Sequence, residues 1–232
     1  MPSPAFALVA LLAMTTSSFV FAADNQLSED EKNAGWELLF NGRDHTGWKC
    51  NNGKPIATPV EDGALLPYKS GGYIVIYDKQ YGDFVFKCDV RWEAEHCNSG
   101  IFFRVEDPKD PVNTGFEVQV HSGDGIGKHD FGAIYDLVAP SENAGKATGD
   151  WNTVAITCRG PKIEVVVNGK KVCSMNCDDF DRAGYCPDGE KHKYQLGGKP
   201  RAIKDFARKG YLGFQDHGQK VWYKNVKVLE LE

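Results

Sequence analysis

The clearest pattern along the chain runs from Phe84 to Glu93, where apolar and polar residues alternate. Phe84, Phe86, Cys88, Val90 and Trp92 fall on one side, and Lys87, Asp89, Arg91 and Glu93 fall on the other. A period of two predicts a half-buried β-strand. Gly115–His121 repeats it, with Phe116, Val118 and Val120 set against Glu117, Gln119 and His121. Ser99–Arg104, Trp151–Arg159, Lys162–Asn168, Lys171–Ser174 and Val221–Leu231 read as further strands, with shorter ones at Trp36–Phe40, Ala64–Leu66 and Tyr73–Tyr77. Asn41-Gly42, Gly160-Pro161 and Asn168-Gly169 supply turns, the last a strong hairpin signal. Residues 176–209 are polar and irregular, with a short helix expected near Ile203–Arg208, and read as an insertion on the rim. About a dozen strands at spacings of about 8–15 residues, with neither strand–helix alternation nor repeats, predict an antiparallel β-sandwich.

The amino-terminal pattern is different. Residues 1–22 hold an apolar run, Ala5–Met14, and small residues at Val20 and Ala22. They read as a secretory signal peptide cleaved after Ala22, which predicts a secreted or periplasmic protein with no remaining membrane span. Residues 23–34 read as a polar linker and 35–232 as a single domain. Composition agrees with one β-rich domain: 41% of the 232 residues are apolar, 12% are aromatic, and 25 are glycine. A net charge of −5 argues against nucleic-acid binding. Seven cysteines suit an exported chain. Cys88 and Cys158 lie inside apolar strand patterns and read as small buried hydrophobes, whereas one local disulfide is expected among Cys173, Cys177 and Cys186.

Three strand faces collect hydrogen-bonding side chains: Asn98, Gly100, Phe102 and Arg104; Glu117, Gln119 and His121; and Tyr211, Gly213, Gln215 and His217. A solvated face also alternates, but amides, imidazoles and a guanidinium suit sugar hydroxyls. Gly100 and Gly213 are expected to leave room for a sugar ring. Glu117 is the best general-base candidate, since a carboxylate inside a strand has its pKa raised by burial. His217, beside Asp216, is the second. His121 and His129, with Asp124 and Asp130, offer a loose divalent-cation cluster, so a cation is possible though none is required. A retaining glycosidase needs two carboxyls about 5 Å apart, and Gln119 denies Glu117 a partner on its own strand. Trp36, Trp48, Trp151 and Trp222 read as scaffold rather than sugar platforms.

Six strings, in order, resemble one family: GWELLFNGRDHTGW (35–48), NSGIFFR (98–104), GFEVQV (115–120), GAIYDLVAP (132–140), DWNTVAITCRGPKIEVVVNGK (150–170) and GYLGFQDHGQKVWYKNVKV (210–228). They are similar to the 3-keto-disaccharide hydrolase domain, also described as a 3-keto-glucoside lyase/hydratase. The resemblance implies a concanavalin A-like jelly-roll sandwich and action on glycosides already oxidised at C3. A C3 ketone acidifies the C2 proton, so one base can trigger loss of the C1 aglycone, and water then adds to the enone. Under this reading Glu117 or His217 takes the C2 proton. Arg104, Gln119 or Lys224 stabilises the enolate, and Asn98, Gln215, Asp216 and Tyr135 bind hydroxyls. The competing reading is a non-catalytic carbohydrate-binding module on the same fold.

Overall fold

The computed structural model describes residues 23–232; the signal-peptide segment lies outside them. Helix α1 (Glu29–Asn33) is followed by strands β1 (Glu37–Leu38), β2 (Trp48–Cys50), β3 (Ile74–Tyr81), β4 (Phe84–Trp92) and β5 (Asn98–Val105). A one-turn helix, α2 (Pro111–Thr114), leads into β6 (Phe116–His121). Then come β7 (Asn152–Arg159), β8 (Lys162–Val167), β9 (Lys170–Asn176), a small ribbon of β10 (Gln195–Leu196) and β11 (Lys199–Pro200), β12 (Gly210–Gln215) and β13 (Val221–Glu230).

The main strands form an antiparallel β-sandwich. One sheet has the order β1-β13-β4-β7-β8-β9 and the other β2-β3-β12-β5-β6. Alternation assigns the faces. On β4, Phe84, Phe86, Cys88, Val90 and Trp92 are all at most 3% exposed and point into the interior. There they join Phe103, Phe116, Val118 and Phe214 from the facing sheet. Burial of each such side chain contributes about 1.5–3 kcal/mol. The β8–β9 hairpin turns on Asn168 and Gly169, with φ of 50° and 82°, the pair of left-handed residues that a tight turn between twisted strands requires. Among the described residues no helix is long and apolar enough to cross a membrane.

Three local expectations change. Ala64–Leu66 forms isolated bridges, Leu65 to Tyr223 among them, rather than a strand. The helix expected near 203–208 shrinks to a 3₁₀ turn at Ile203–Asp205. No disulfide forms among Cys173, Cys177 and Cys186, and all seven cysteines are free and buried. The reason is orientation: the Cys173 thiol turns to the Val138 carbonyl at 3.5 Å, and the Cys186 thiol turns to that of Leu137 at 3.8 Å.

Two segments outside the strands are held firmly against the sandwich. The stretch read as a linker is docked: Ser28 and Glu31 cap α1 reciprocally, and the Asn25 N–H donates to Asn225 Oδ1 on β13. Residues 176–209 add Phe180, Cys186, Tyr194, Ile203 and Phe206 to the main core cluster, so this irregular run has a fixed place on the fold.

Candidate active site

Pairing of β5 with β6 sets Gly100 opposite Gln119 and Phe102 opposite Glu117. On the other side of β5, β12 sets Gly213 opposite Phe102 and Phe214 opposite Ile101. Ile101, Phe103, Val118 and Phe214 go to the core, so alternation turns Asn98, Gly100, Phe102, Glu117, Gln119, Gly213 and Gln215 to the opposite face.

Glu117 is the centre of that face. It is 4% exposed, and its carboxylate has no hydrogen-bond partner among the described residues. A Cβ on Gly100 would stand 2.7 Å from Glu117 Cδ. The missing side chain at Gly100 therefore makes room for the carboxylate, not for a sugar ring as expected. The space at Gly213 is likewise closed, there by the Val75 carbonyl. Burial pushes the Glu117 carboxyl up to about 7, with the nearby Lys193 ammonium opposing the rise.

Amides flank the carboxylate. Gln119 Nε2 donates to Asn98 Oδ1 at 2.9 Å, and Gln215 Nε2 donates to the Tyr73 hydroxyl at 2.6 Å. The carbonyl oxygens Gln119 Oε1 and Gln215 Oε1 are buried with no donor among the described residues. An unsatisfied buried acceptor costs about 1–3 kcal/mol, and a sugar hydroxyl is the kind of donor these two lack.

A wall comes from irregular chain. Residues 132–135 run along β6, with Tyr135 N–H on the Glu117 carbonyl at 2.9 Å and Gln119 N–H on that of Ala133 at 3.0 Å. The Tyr194 hydroxyl donates to the Tyr135 carbonyl at 2.9 Å, and Lys193 Nζ sits 3.8 Å from the Tyr135 ring centre. Burial raises the Tyr135 phenol, and the Glu117 charge adds to the rise. Burial lowers the Lys193 ammonium, partly offset by Glu117 and Asp136. The face thus holds a carboxyl poised near neutrality beside a cation and a phenol. Such a set can accept a proton from carbon and steady a developing oxyanion.

The structure brings Glu117, Asn98, Gln119, Gln215 and Tyr135 together. It removes Arg104 and Lys224. Arg104 is fully buried; its guanidinium donates to the Gly82 and Gly160 carbonyls and pairs with Asp83 at 2.9 Å. The cause is a break in alternation: Arg104 has φ 49°, and the β5–β12 register slips between Tyr211 and Gly213. Lys224 pairs with Asp89 on the outer face of the other sheet and bonds Asp24 at 2.5 Å. Asp216 and His217 lie just past β12. Asp216 accepts the Lys69 and Gly218 N–H groups, and His217 is exposed. The four residues offered for a cation do not converge: His121 faces Asp130 at 3.7 Å, while His129 pairs with Asp136 at 3.0 Å. Among the described residues no group of three His, Cys, Asp or Glu could hold a metal ion. Trp151 and Trp222 stack with Arg91 on the outer face of the six-stranded sheet.

Sequence reasoning missed Lys193 and Tyr73. Lys193 lies in no alternating run and only its folded loop brings it close, whereas Tyr73 stands one residue before β3, where pairing with the end of β12 sets it beside Gln215.

Comparison with known proteins gives a consistent result. The family described as the 3-keto-alpha-glucoside-1,2-lyase-like domain matches residues 35–229. A Bacteroides thetaiotaomicron protein named 3-keto-disaccharide hydrolase is 24% identical, over 85% of this chain and 79% of its own length. A crystal structure from Parabacteroides distasonis ATCC 8503, carrying a provisional glycosyl hydrolase designation, is 30% identical with a TM-score of 0.73, covering 90% of this chain and all of that one. A second, from the same organism and similarly designated, is 26% identical with a TM-score of 0.72, covering 84% of this chain and 99% of that one.

Proposed function

The chain belongs to the 3-keto-alpha-glucoside-1,2-lyase-like domain family, and on that premise we propose that it cleaves 3-keto-glucosides and 3-keto-disaccharides by elimination followed by hydration. The observation that carries this reading is Glu117: a buried, unpaired carboxyl held near neutrality, ringed by sugar-suited amides and facing a cation. An inverting or retaining hydrolase needs a second carboxyl. A carbon acid made reactive by a ketone needs only one base.

In the proposed sequence Glu117 takes the C2 proton, and the electron pair moves onto the C3 oxygen as an enolate. Lys193 and Tyr135 offer positive charge and a hydroxyl donor there, in a site where burial strengthens both. The enolate collapses to form the C1–C2 double bond, and the aglycone oxygen leaves with the C1–O pair. That oxygen takes one proton of an incoming water, whose hydroxyl adds to C1. Glu117 returns its proton to C2, so the base is restored and the net reaction is hydrolysis. Asn98, Gln119 and Gln215 hold ring hydroxyls. His217, exposed beyond β12, is the lesser base candidate. The apolar segment Ala5–Met14 supports export of the protein to where such sugars are met.

The test is turnover of methyl 3-keto-glucoside in D₂O, followed by NMR. The expected result is loss of the C2–H signal and release of methanol by the wild-type protein, and neither by Glu117→Gln. Tight sugar binding with no exchange and no release identifies a binding module instead and overturns the proposal.

A further inference from the structure

The face carrying Glu117 has a second phenol besides Tyr135. Tyr73 stands one residue before β3, and its hydroxyl accepts the Gln215 Nε2–H at 2.6 Å. Its ring meets that of Phe102 edge to face at 6.3 Å, and Phe102 pairs with Glu117 across β5 and β6. A second route leads to the carboxylate itself. Phe214 pairs with Ile101, so Gln215, one residue on, stands beside Gly100, and the Glu117 carboxylate fills the space over Gly100. Gln215 therefore stands between the Tyr73 hydroxyl and the glycine over which the base lies.

The two phenols approach from opposite sides. Tyr135 belongs to the run bonded along the outer edge of β6, the last strand of its sheet. β5, β12 and β3 follow inward from β6, so Tyr73 reaches the face from the far side of Glu117. A sugar ring presents its reacting atoms in the same order, with the C3 oxygen and the C1 oxygen on either side of C2. With Glu117 at C2, and Lys193 and Tyr135 at the C3 oxygen, Tyr73 falls at the C1 oxygen. Its ring is 41% exposed, so this flank is also open for an aglycone to depart.

We propose that Tyr73 is the general acid that protonates the departing aglycone, and then the base for the water that replaces it. The inference rests on the functional reading above and adds to it the group that frees the C1 oxygen. As the C1–O bond breaks, its electron pair takes the Tyr73 proton, and the aglycone leaves as an alcohol. The phenolate then takes a proton from water while the water oxygen bonds to C1 and the displaced electron pair returns to the C3 oxygen. The aglycone's proton is thus drawn from water through Tyr73, and Glu117 returns its own proton to C2. One negative charge is present throughout: on Glu117, then the enolate, then Tyr73, then the enolate again. Burial raises the Tyr73 phenol, the Glu117 charge raises it further, and the Gln215 N–H opposes both. The influence of that charge vanishes once Glu117 has taken the C2 proton, so Tyr73 becomes the stronger acid at the step that needs one.

The experiment follows first-turnover release from methyl and 4-nitrophenyl 3-keto-glucosides in D₂O, by NMR and absorbance, for wild type and Tyr73→Phe. Nitrophenolate leaves without a proton, whereas methoxide is too basic to do so. The expected result for the variant is methanol release slowed about 100-fold or more, with nitrophenolate release within about threefold of wild type. Deuterium should still enter C2 of the unreleased methyl substrate. Phenylalanine keeps the ring against Phe102, and continued exchange at C2 itself reports an intact site. Unchanged methanol release overturns the assignment. An equal loss on both glycosides, or loss of exchange together with release, also overturns it and reduces Tyr73 to a support for Gln215. Wild-type protein that neither exchanges C2–H nor releases either aglycone removes the functional reading and this inference with it.

Discussion

Replacing Glu117 with Gln tests chemistry and electrostatics together. The amide keeps the shape over Gly100 but cannot take a proton. General-base catalysis is worth about 10²–10⁴ in rate, so kcat/KM on a 3-keto-glucoside should fall by that factor, or about 3–5 kcal/mol of transition-state stabilisation. Stability should move the other way with pH. The native carboxyl titrates near 7 against an ordinary 4.5. Below pH 4.5 the group is neutral in both folded and unfolded chains, and its burial costs no charge. As pH rises through 4.5 toward 7 the unfolded chain ionises first, and the native state loses stability relative to it. Above about 7 the loss saturates at about 3 kcal/mol. Glutamine carries its own cost for a buried, unpaired amide at every pH, so the diagnostic is the change with pH. Urea unfolding of both proteins at pH 4 and pH 8.5 should show the variant gaining about 3 kcal/mol on wild type across that interval. A difference that stays flat with pH, or a kcat/KM loss below tenfold, refutes the reasoning.

Three further outcomes are expected from the same geometry. Lys193→Met removes the cation that opposes the rise of the Glu117 carboxyl, so the acid limb of the kcat/KM–pH profile should shift to higher pH while the plateau falls; an unmoved limb contradicts the contact. Gly100→Ala forces a Cβ against Glu117 Cδ, and kcat/KM should drop at least tenfold with the circular dichroism spectrum retained. Arg104→Met takes the guanidinium from the Gly82 and Gly160 carbonyls and leaves Asp83 with the Gly160 N–H but no cation. It should cost about 3 kcal/mol in urea unfolding, yet keep kcat per folded molecule within twofold, because Arg104 is not at the site.

The sandwich was legible because strands such as β4 and β6 obey one rule over their whole length. The same rule placed Glu117, Gln119 and Asn98 on one face, and the register agreed. It failed at Arg104, two residues past Phe102, where a left-handed backbone and a register slip turn the side chain out of the pattern. Alternation has no means of seeing a bulge. It failed differently at Lys224: alternation sorts the two faces of one strand, but does not say which sheet that strand joins. Lys193 was beyond reach because residues 176–209 have no periodicity, and its position depends on Tyr194 anchoring to Tyr135. At Gly100 the missing side chain does leave space, but its occupant is the nearest side chain of the neighbouring strand rather than a sugar.

The run 132–135 beside β6 has a meaning beyond holding Tyr135. β6 is the last strand of its sheet, and a bare strand edge is a template on which other chains pair and aggregate. By taking the Gln119 and Glu117 main-chain groups into its own hydrogen bonds, this run blocks that template. Cover for the β6 edge and the placement of Tyr135 therefore share one short piece of chain. A substitution that loosens it unseats Tyr135 and uncovers a strand edge at the same moment.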